Sequence, residues 1–189
     1  MSWSRATRKV FCIGAHRTGT RSLAKALDLL GFNCCHWESH KRVMDDVRAG
    51  NFALSVMEEY DAAADFPIPS IYRELDAAFP GSRFILTVRN RQAWLESVRK
   101  HLGHRGLAEE EQLFYGVKRF DAELFLRRFD EHNESVREYF AGRSDLLVID
   151  VTAGEGWEKL APFLGVPVPQ RPFPNVRERP RVTPIAPDS

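Results

Sequence analysis

Long apolar runs, cysteine and a surplus of either charge are what this 189-residue chain has little of, and each shortage removes a class of function. No apolar stretch approaches the roughly 20 residues needed to cross a bilayer, so no membrane anchor is expected. The apolar run after Arg5, Arg8 and Lys9 is about five residues, against the roughly 7 to 15 of a signal-peptide core, and reads as a first strand. The three cysteines, Cys12, Cys34 and Cys35, are an odd number within apolar segments, which suits buried reduced thiols in the cytoplasm better than a disulfide framework. Apart from His36 no histidine or cysteine stands near them at ligand spacing, so no metal site is expected. With 27 basic and 26 acidic residues the net charge is +1, and no global field announces nucleic acid or an anionic membrane. Any anion site must come from local clustering.

Such a cluster is present near the N-terminus. Residues 9 to 22, Lys-Val-Phe-Cys-Ile-Gly-Ala-His-Arg-Thr-Gly-Thr-Arg-Ser, join a short apolar run to a glycine-bracketed turn and then to a helical pattern. Gly14 and Gly19 allow a tight turn and close approach to an anion, and the following helix directs its unpaired N–H groups and positive dipole end to the same place. The Gly14 to Gly19 spacing fits the frame of a Walker A loop, G-x-x-x-x-G-K-[ST], but Thr20 and Arg21 follow in place of Lys and Ser or Thr. The cation comes earlier, in Arg17-Thr18-Gly19-Thr20. A tight strand-to-helix turn without a ligand is the competing reading.

At this length one α/β domain with a two-sided core is expected over residues 1–189, ending in an extended Pro- and Arg-rich tail from about residue 167. Leu23, Leu27 and Leu30 recur at helical spacing before Gly31, predicting a helix over 20–30, and strand two follows over 32–37. Ser39 caps a polar helix through the forties, Gly50-Asn51 breaks it, and a second helical stretch runs to about Tyr60. A short strand ends near Asp65 before Pro67 and Pro69, a helix spans 70–79, Pro80-Gly81 turns the chain, and residues 83–88 read as a buried strand. Further helices are predicted from Arg91 to Gly103, over about 119–140 with Phe125, Phe129, Val136 and Phe140 on one stripe, and from Trp157 to Gly165. The last strand is 146–151. Strands alternating with helices imply a parallel sheet of about five strands, flanked on both faces, with its ligand beyond the carboxyl ends. Gly14, His36, Asp65, Arg89 and Asp150 are all expected on that rim.

Gly14 to Leu23, Asp65-Phe66-Pro67 with Tyr72 to Leu75, the run Phe79 to Asn90, Trp94 with Ser97, and the stretch from Gly156-Trp157 to Pro172-Phe173-Pro174 together resemble the soluble P-loop sulfotransferases, nearly end to end. The resemblance implies a P-loop three-layer fold and 3'-phosphoadenylyl sulfate (PAPS) as co-substrate, leaving adenosine 3',5'-bisphosphate (PAP), without a metal. Within that family an Arg at a strand end and a Ser eight residues later hold the 3'-phosphate of the donor, and Arg89 and Ser97 stand at that spacing. The loop would bind the 5'-phosphosulfate through His16, Arg17, Thr18, Gly19, Thr20, Arg21 and Ser22, with Arg17 also stabilising charge on the leaving phosphate.

For the base that accepts the acceptor's proton, Asp65 is the first candidate and His36 the second. Asp65 is open to a second reading as a helix cap, and His36 as an ordinary strand-end histidine. His16 departs from the small residue common in the resembled group and either shapes the acceptor side or faces solvent. Arg89 paired with Glu96, and Ser97 bonded to the Ala93 carbonyl, are the plainer alternatives for those two. Asn90 stands where the resembled group has Asp. The expected function is sulfonyl transfer to a hydroxyl or amine of a small-molecule acceptor. The alternatives are a P-loop small-molecule kinase with a degenerate loop and a non-catalytic nucleotide-binding protein. Acceptor pockets are expected around residues 38–60 and 103–120; oligomeric state and acceptor identity stay open.

Overall fold

A computed structural model describes residues 9–36 and 40–176. The expected Ser39 cap, the end of strand two at Trp37 and the arginines at 177, 179 and 181 lie outside the described residues. In chain order the elements are β1 (Val10–Cys12), α1 (Thr20–Leu29), β2 (Cys34–Cys35), α2 (His40–Arg48), β3 (Ala62–Ala64), α3 (Tyr72–Ala78), β4 (Arg83–Thr87), α4 (Arg91–Leu102), α5 (Glu109–Tyr115), α6 (Ala122–Tyr139), β5 (Leu146–Ile149) and α7 (Trp157–Leu164). The five strands form one sheet in the order β2-β3-β1-β4-β5. Every pairing is parallel, with Phe11 opposite both Ala63 and Phe84. This is the parallel α/β sheet of about five strands expected from the alternation of strands and helices.

The period of two along the strands sorts their side chains into two cores. Phe11, Ala63, Phe84 and Leu86 pack with Val43 of α2, Tyr72 and Leu75 of α3, and Val136 and Phe140 of α6. Val10, Cys12, Ala62, Ala64, Ile85 and Ile149 pack with Leu23 and Leu27 of α1 and with Trp157, Leu160 and Leu164 of α7. A third cluster sits beyond the carboxyl rim, where Trp94, Val98 and Leu102 of α4 meet Tyr115 of α5, Phe125 and Phe129 of α6, Phe66 and Ala15. Trp94 stacks on Phe129 with ring centroids 4.1 Å apart. The aromatic stripe of α6 is thus core.

Several boundaries differ from the sequence expectation, each for a local reason. The second helical stretch to Tyr60 reduces to a 3-10 turn, Ser55–Glu58, because Asp46 accepts from the Ser55 N–H at 2.7 Å and its hydroxyl at 2.8 Å and draws the chain back on α2. The helix over 70–79 opens as a 3-10 turn at Ile68–Ile71, with Pro67 as its cap residue and proline at its start. Helix α6 starts at Ala122 instead of 119, where the Asp121 carboxylate accepts from the Leu124 N–H at 2.8 Å. Helix α5 was not expected. Its cap residue is Ala108, and only the return half of a capping box is made, Glu111 Oε2 accepting from the Ala108 N–H at 2.8 Å. Strand β3 is three alanines, a poor strand former made a strand by pairing with β1 on one side and β2 on the other.

Candidate active site

Each of the five strand ends carries the polar residue expected there, but they do different work. Ile13 donates to the Ile85 carbonyl at 2.8 Å, which keeps the chain against β4 as it leaves β1. A Cβ on Gly14 would lie 2.0 Å from Thr87 Oγ1 and 2.5 Å from the Thr87 carbonyl oxygen, so only glycine permits this approach. Thr18 closes the turn with its hydroxyl 2.5 Å from the Ala15 carbonyl and 2.6 Å from Thr87 Oγ1. That corrects one expectation: the buried Thr18 hydroxyl faces inward, and only its backbone remains for a ligand. Asp150 also faces away, accepting from the N–H groups of Thr152 and Ala153 as the cap of a 3-10 turn.

Beyond Thr18 the backbone is left-handed at Arg17 (φ 65°) and at Gly19 (φ 97°). A non-glycine residue there is strained, and the strain is held by contacts on both sides. Gly19 caps α1 without a side-chain bond, and no acidic residue occupies the first turn. The positive end of α1 therefore reaches uncompensated to the point where Gly19, Thr20, Arg21 and Ser22 line one cleft. Its volume is about 1150 Å³, and Arg17, Arg89 and Ser97 line it too.

Arg17 and the strand-end pair are joined directly. Arg17 Nε donates to Ser97 Oγ at 3.1 Å, and Arg89 Nη1 donates to the Arg17 carbonyl at 2.9 Å. Of the plainer partners, Glu96 forms its ion pair with Lys100 at 2.6 Å and feels Arg89 only as a more distant charge, and Ser97 Oγ accepts from Arg17. Three guanidiniums, those of Arg17, Arg21 and Arg89, thus line one end of the cleft with a bare helix N-terminus. That donor set matches phosphate oxygens.

The opposite end is built from β2, β3, α4 and α5. Asp65, also left-handed at φ 75°, holds the Phe66 N–H on Oδ1 at 2.9 Å and turns Oδ2 to 3.7 Å from His36 Nε2. Asp65 does not cap the following turn, whose cap residue, Pro67, receives no side-chain bond. The two candidate bases are therefore neighbours. His16 does not face solvent. It is 6 % exposed, with its ring 5.0 Å from that of Phe66 and 5.6 Å from that of Tyr115, and its carbonyl accepts from the Trp94 indole at 3.0 Å. Burial, with His101, Arg17 and Arg105 adding to it, holds its pKa well below the ordinary value and keeps the ring neutral.

Sequence reasoning pointed to the segment 103–120 but named none of the residues that α4, α5 and the turn between them bring to this end: His101, Arg105, Glu110 and Glu111. A signal existed in Glu109-Glu110-Glu111, an acidic first turn, but burial of two of the three was not legible from it. Arg105 donates from Nη1 and Nη2 to the two oxygens of Glu111, at 2.8 and 2.6 Å. His16, His101 and Glu111 offer ligand atoms within 4.8 Å of one another, the one such group among the described residues. Its carboxylate already holds the Arg105 fork and the Ala108 N–H, so an internal cation stands where an ion's charge would be needed. The segment from Phe173 to Val176 closes the cleft beside α1: Phe173 packs on Trp157 at 4.8 Å, and Val176 N–H donates to Ser22 Oγ at 3.0 Å.

Comparison with known proteins agrees with this geometry. One relative, the Ava biosynthesis cluster protein M of Aspergillus versicolor, is 30% identical over 211 aligned positions, covering 89% of this chain and 80% of that protein. A solved structure, a gluconokinase from Sinorhizobium meliloti 1021, superposes with a TM-score of 0.47 at 16% identity, over 86% of this chain and 92% of the other. The family described as a sulfotransferase domain matches residues 9–182. With a glycine-bracketed loop, a strand-end arginine and a helix serine all on one cleft, and a match over most of its length, this chain belongs to the sulfotransferase-domain family.

Proposed function

We propose that the protein transfers a sulfonyl group from PAPS to a hydroxyl or amine of a small molecule. The observation that carries this reading is the linkage of the loop to the strand-end motif, Arg17 to Ser97 and Arg89 to Arg17, at the cationic end of the cleft. A nucleotide with phosphates on both sides of its ribose has one anion for the loop and α1 and another for Arg89 and Ser97. The residues present fit it: three guanidiniums and an uncapped helix start supply positive charge and N–H donors without a Walker lysine.

Bound there, the donor supplies a sulfonyl group joined to phosphate through a bridging oxygen. Asp65 takes the proton of the acceptor hydroxyl as that oxygen bonds to sulfur, while the bond from sulfur to the bridging oxygen breaks and its electron pair stays on the phosphate. Arg17 and the α1 N-terminus take up the charge that develops on that oxygen. His36, 3.7 Å from Asp65 and beyond hydrogen-bond distance, stands beside it as the second candidate base. His16 and Phe66 wall the acceptor side.

PAP at a hundred times its dissociation constant is expected to stabilise the fold by about 2.7 kcal/mol, raising the melting temperature by about 5 to 10 °C, and to do so more than ATP with Mg2+. The reverse order would favour a kinase. No shift with PAP at saturation would overturn the proposal, and a shift without transfer to any acceptor would leave a nucleotide-binding protein.

A further inference from the structure

Adjacent residues Glu110 and Glu111 of α5 are both buried, at 7 % and 5 % exposure, yet they differ in partners. The oxygens of Glu111 are taken by the Arg105 fork and the Ala108 N–H. Glu110 accepts no hydrogen bond from a described residue, and its nearest ionisable partner is His40, with Nε2 3.5 Å from Oε2. A carboxylate in a mostly buried position needs a partner for its charge, and this one lines the cleft with only His40 beside it. A second orphan lies at the same end: His16 Nε2 is buried with no partner, on a ring held neutral. Around them are the rings of Phe66 and His101.

The charge of the cleft is divided in the same sense. Asp65, Glu110 and Glu111 line this end against one guanidinium, Arg105, whereas Arg17, Arg21 and Arg89 line the cleft beside α1 against one carboxylate, Glu155. An anionic acceptor meets repulsion there. A neutral one leaves Glu110 unsatisfied.

We propose that the acceptor is a cationic small molecule, an amine or guanidine on an apolar or aromatic body, whose charged group is held by Glu110 while its reacting hydroxyl lies toward Asp65. This rests on the reading of the cleft as a sulfotransferase site. It assigns the α5 carboxylate as the group that selects the substrate, and it gives a role to Glu110, which Arg105 does not reach while it neutralises Glu111. His16 Nε2 completes the site as a hydrogen-bond partner for the body of the same ligand.

The test uses matched pairs, tyramine against 4-propylphenol and 6-amino-1-hexanol against 1-heptanol, with the full chain saturated with PAP. Binding is read by calorimetry, and transfer from PAPS by product formation. In the wild type the cationic member of each pair binds at least tenfold more tightly, and Glu110→Gln brings the ratio within threefold while PAP raises the melting temperature of both proteins equally. Equal binding of neutral and cationic members, no binding of the cationic members at millimolar concentration, or a ratio that survives Glu110→Gln overturns the proposal. If PAP stabilises neither protein, it is the sulfotransferase reading that fails.

Discussion

Arg17 occupies a backbone conformation that side chains disfavour, and its guanidinium is held at Ser97 while its carbonyl is held by Arg89. Such strain persists where surrounding contacts over-determine it, and Asp65, left-handed at the opposite end of the cleft, shows the same condition. The two residues assigned to chemistry are thus two of the three non-glycine residues with positive φ among the described residues, the third being the buried Leu54, whereas Arg89 has only to present a charge. One series of variants separates these roles. Arg17→Ala lowers transfer by about 100- to 1000-fold with a smaller loss of PAP affinity, since a cation aimed at developing charge acts mostly in the transition state. Arg89→Ala weakens PAP at least tenfold, in the range of a lost charge-assisted bond. Asp65→Asn lowers transfer by about 100-fold or more and leaves PAP binding intact. Steady-state kinetics with calorimetry read all three, and equal losses of binding and turnover for both arginines would contradict the division.

At the scale of elements, the turn between β1 and α1 is set by its contact with β4 as much as by its own residues. Gly14 packs on Thr87, Thr18 bonds Thr87, and Trp94 of α4 donates to the His16 carbonyl. Gly14→Ala places a methyl against Thr87 backbone atoms that cannot move without separating β1 from β4. Overpacking of this kind costs about 3 kcal/mol, so the melting temperature is expected to fall by about 6 to 12 °C with loss of PAP binding. A thermal melt within 2 °C of wild type, in the rough scale of 2–4 °C per kcal/mol, would show that the contact yields easily. The loop was legible in the sequence because its signal is local: two glycines, a cation between them and an apolar strand before them. Its dependence on Thr87 was not, since residues 69 positions apart meet only when β1 and β4 pair. The same reason hid α5, whose cap is an alanine and whose acidic turn reads as solvated until Arg105 folds back on it.

For the whole molecule, the sheet and its rim are joined to α6 through a buried imidazole. His132 Nε2 donates to the Ile13 carbonyl at 2.7 Å, between the rings of Tyr72 and Phe114. Burial pulls its pKa down to about 4, with the Ile13 bond opposing and Arg73 adding to the shift. Because the folded value lies below that of the unfolded chain, roughly 6.5, this group's contribution is intact above pH 6.5 and is lost as pH falls toward 4. Its loss amounts to at most about 3 kcal/mol, and His16, shifted in the same direction, adds to it. Denaturant unfolding measured from pH 7 to 4 should show this decline, and His132→Gln, which keeps a donor without titrating, should flatten it. An unchanged slope in that variant would locate the acid sensitivity elsewhere. The amino-acid sequence by itself determined the parallel α/β sheet, the glycine-bracketed turn into α1 and the placing of Arg89 and Ser97 at the strand end and the next helix, because hydrophobic period and short glycine or charge motifs act over a few residues. Tertiary structure decided that Thr18 turns inward, that Asp65 and His36 are neighbours, and that Glu111 is buried beside a neutral His16. Those are properties of distances between segments remote in sequence, and desolvation, which sets their chemistry, exists only after the segments have packed.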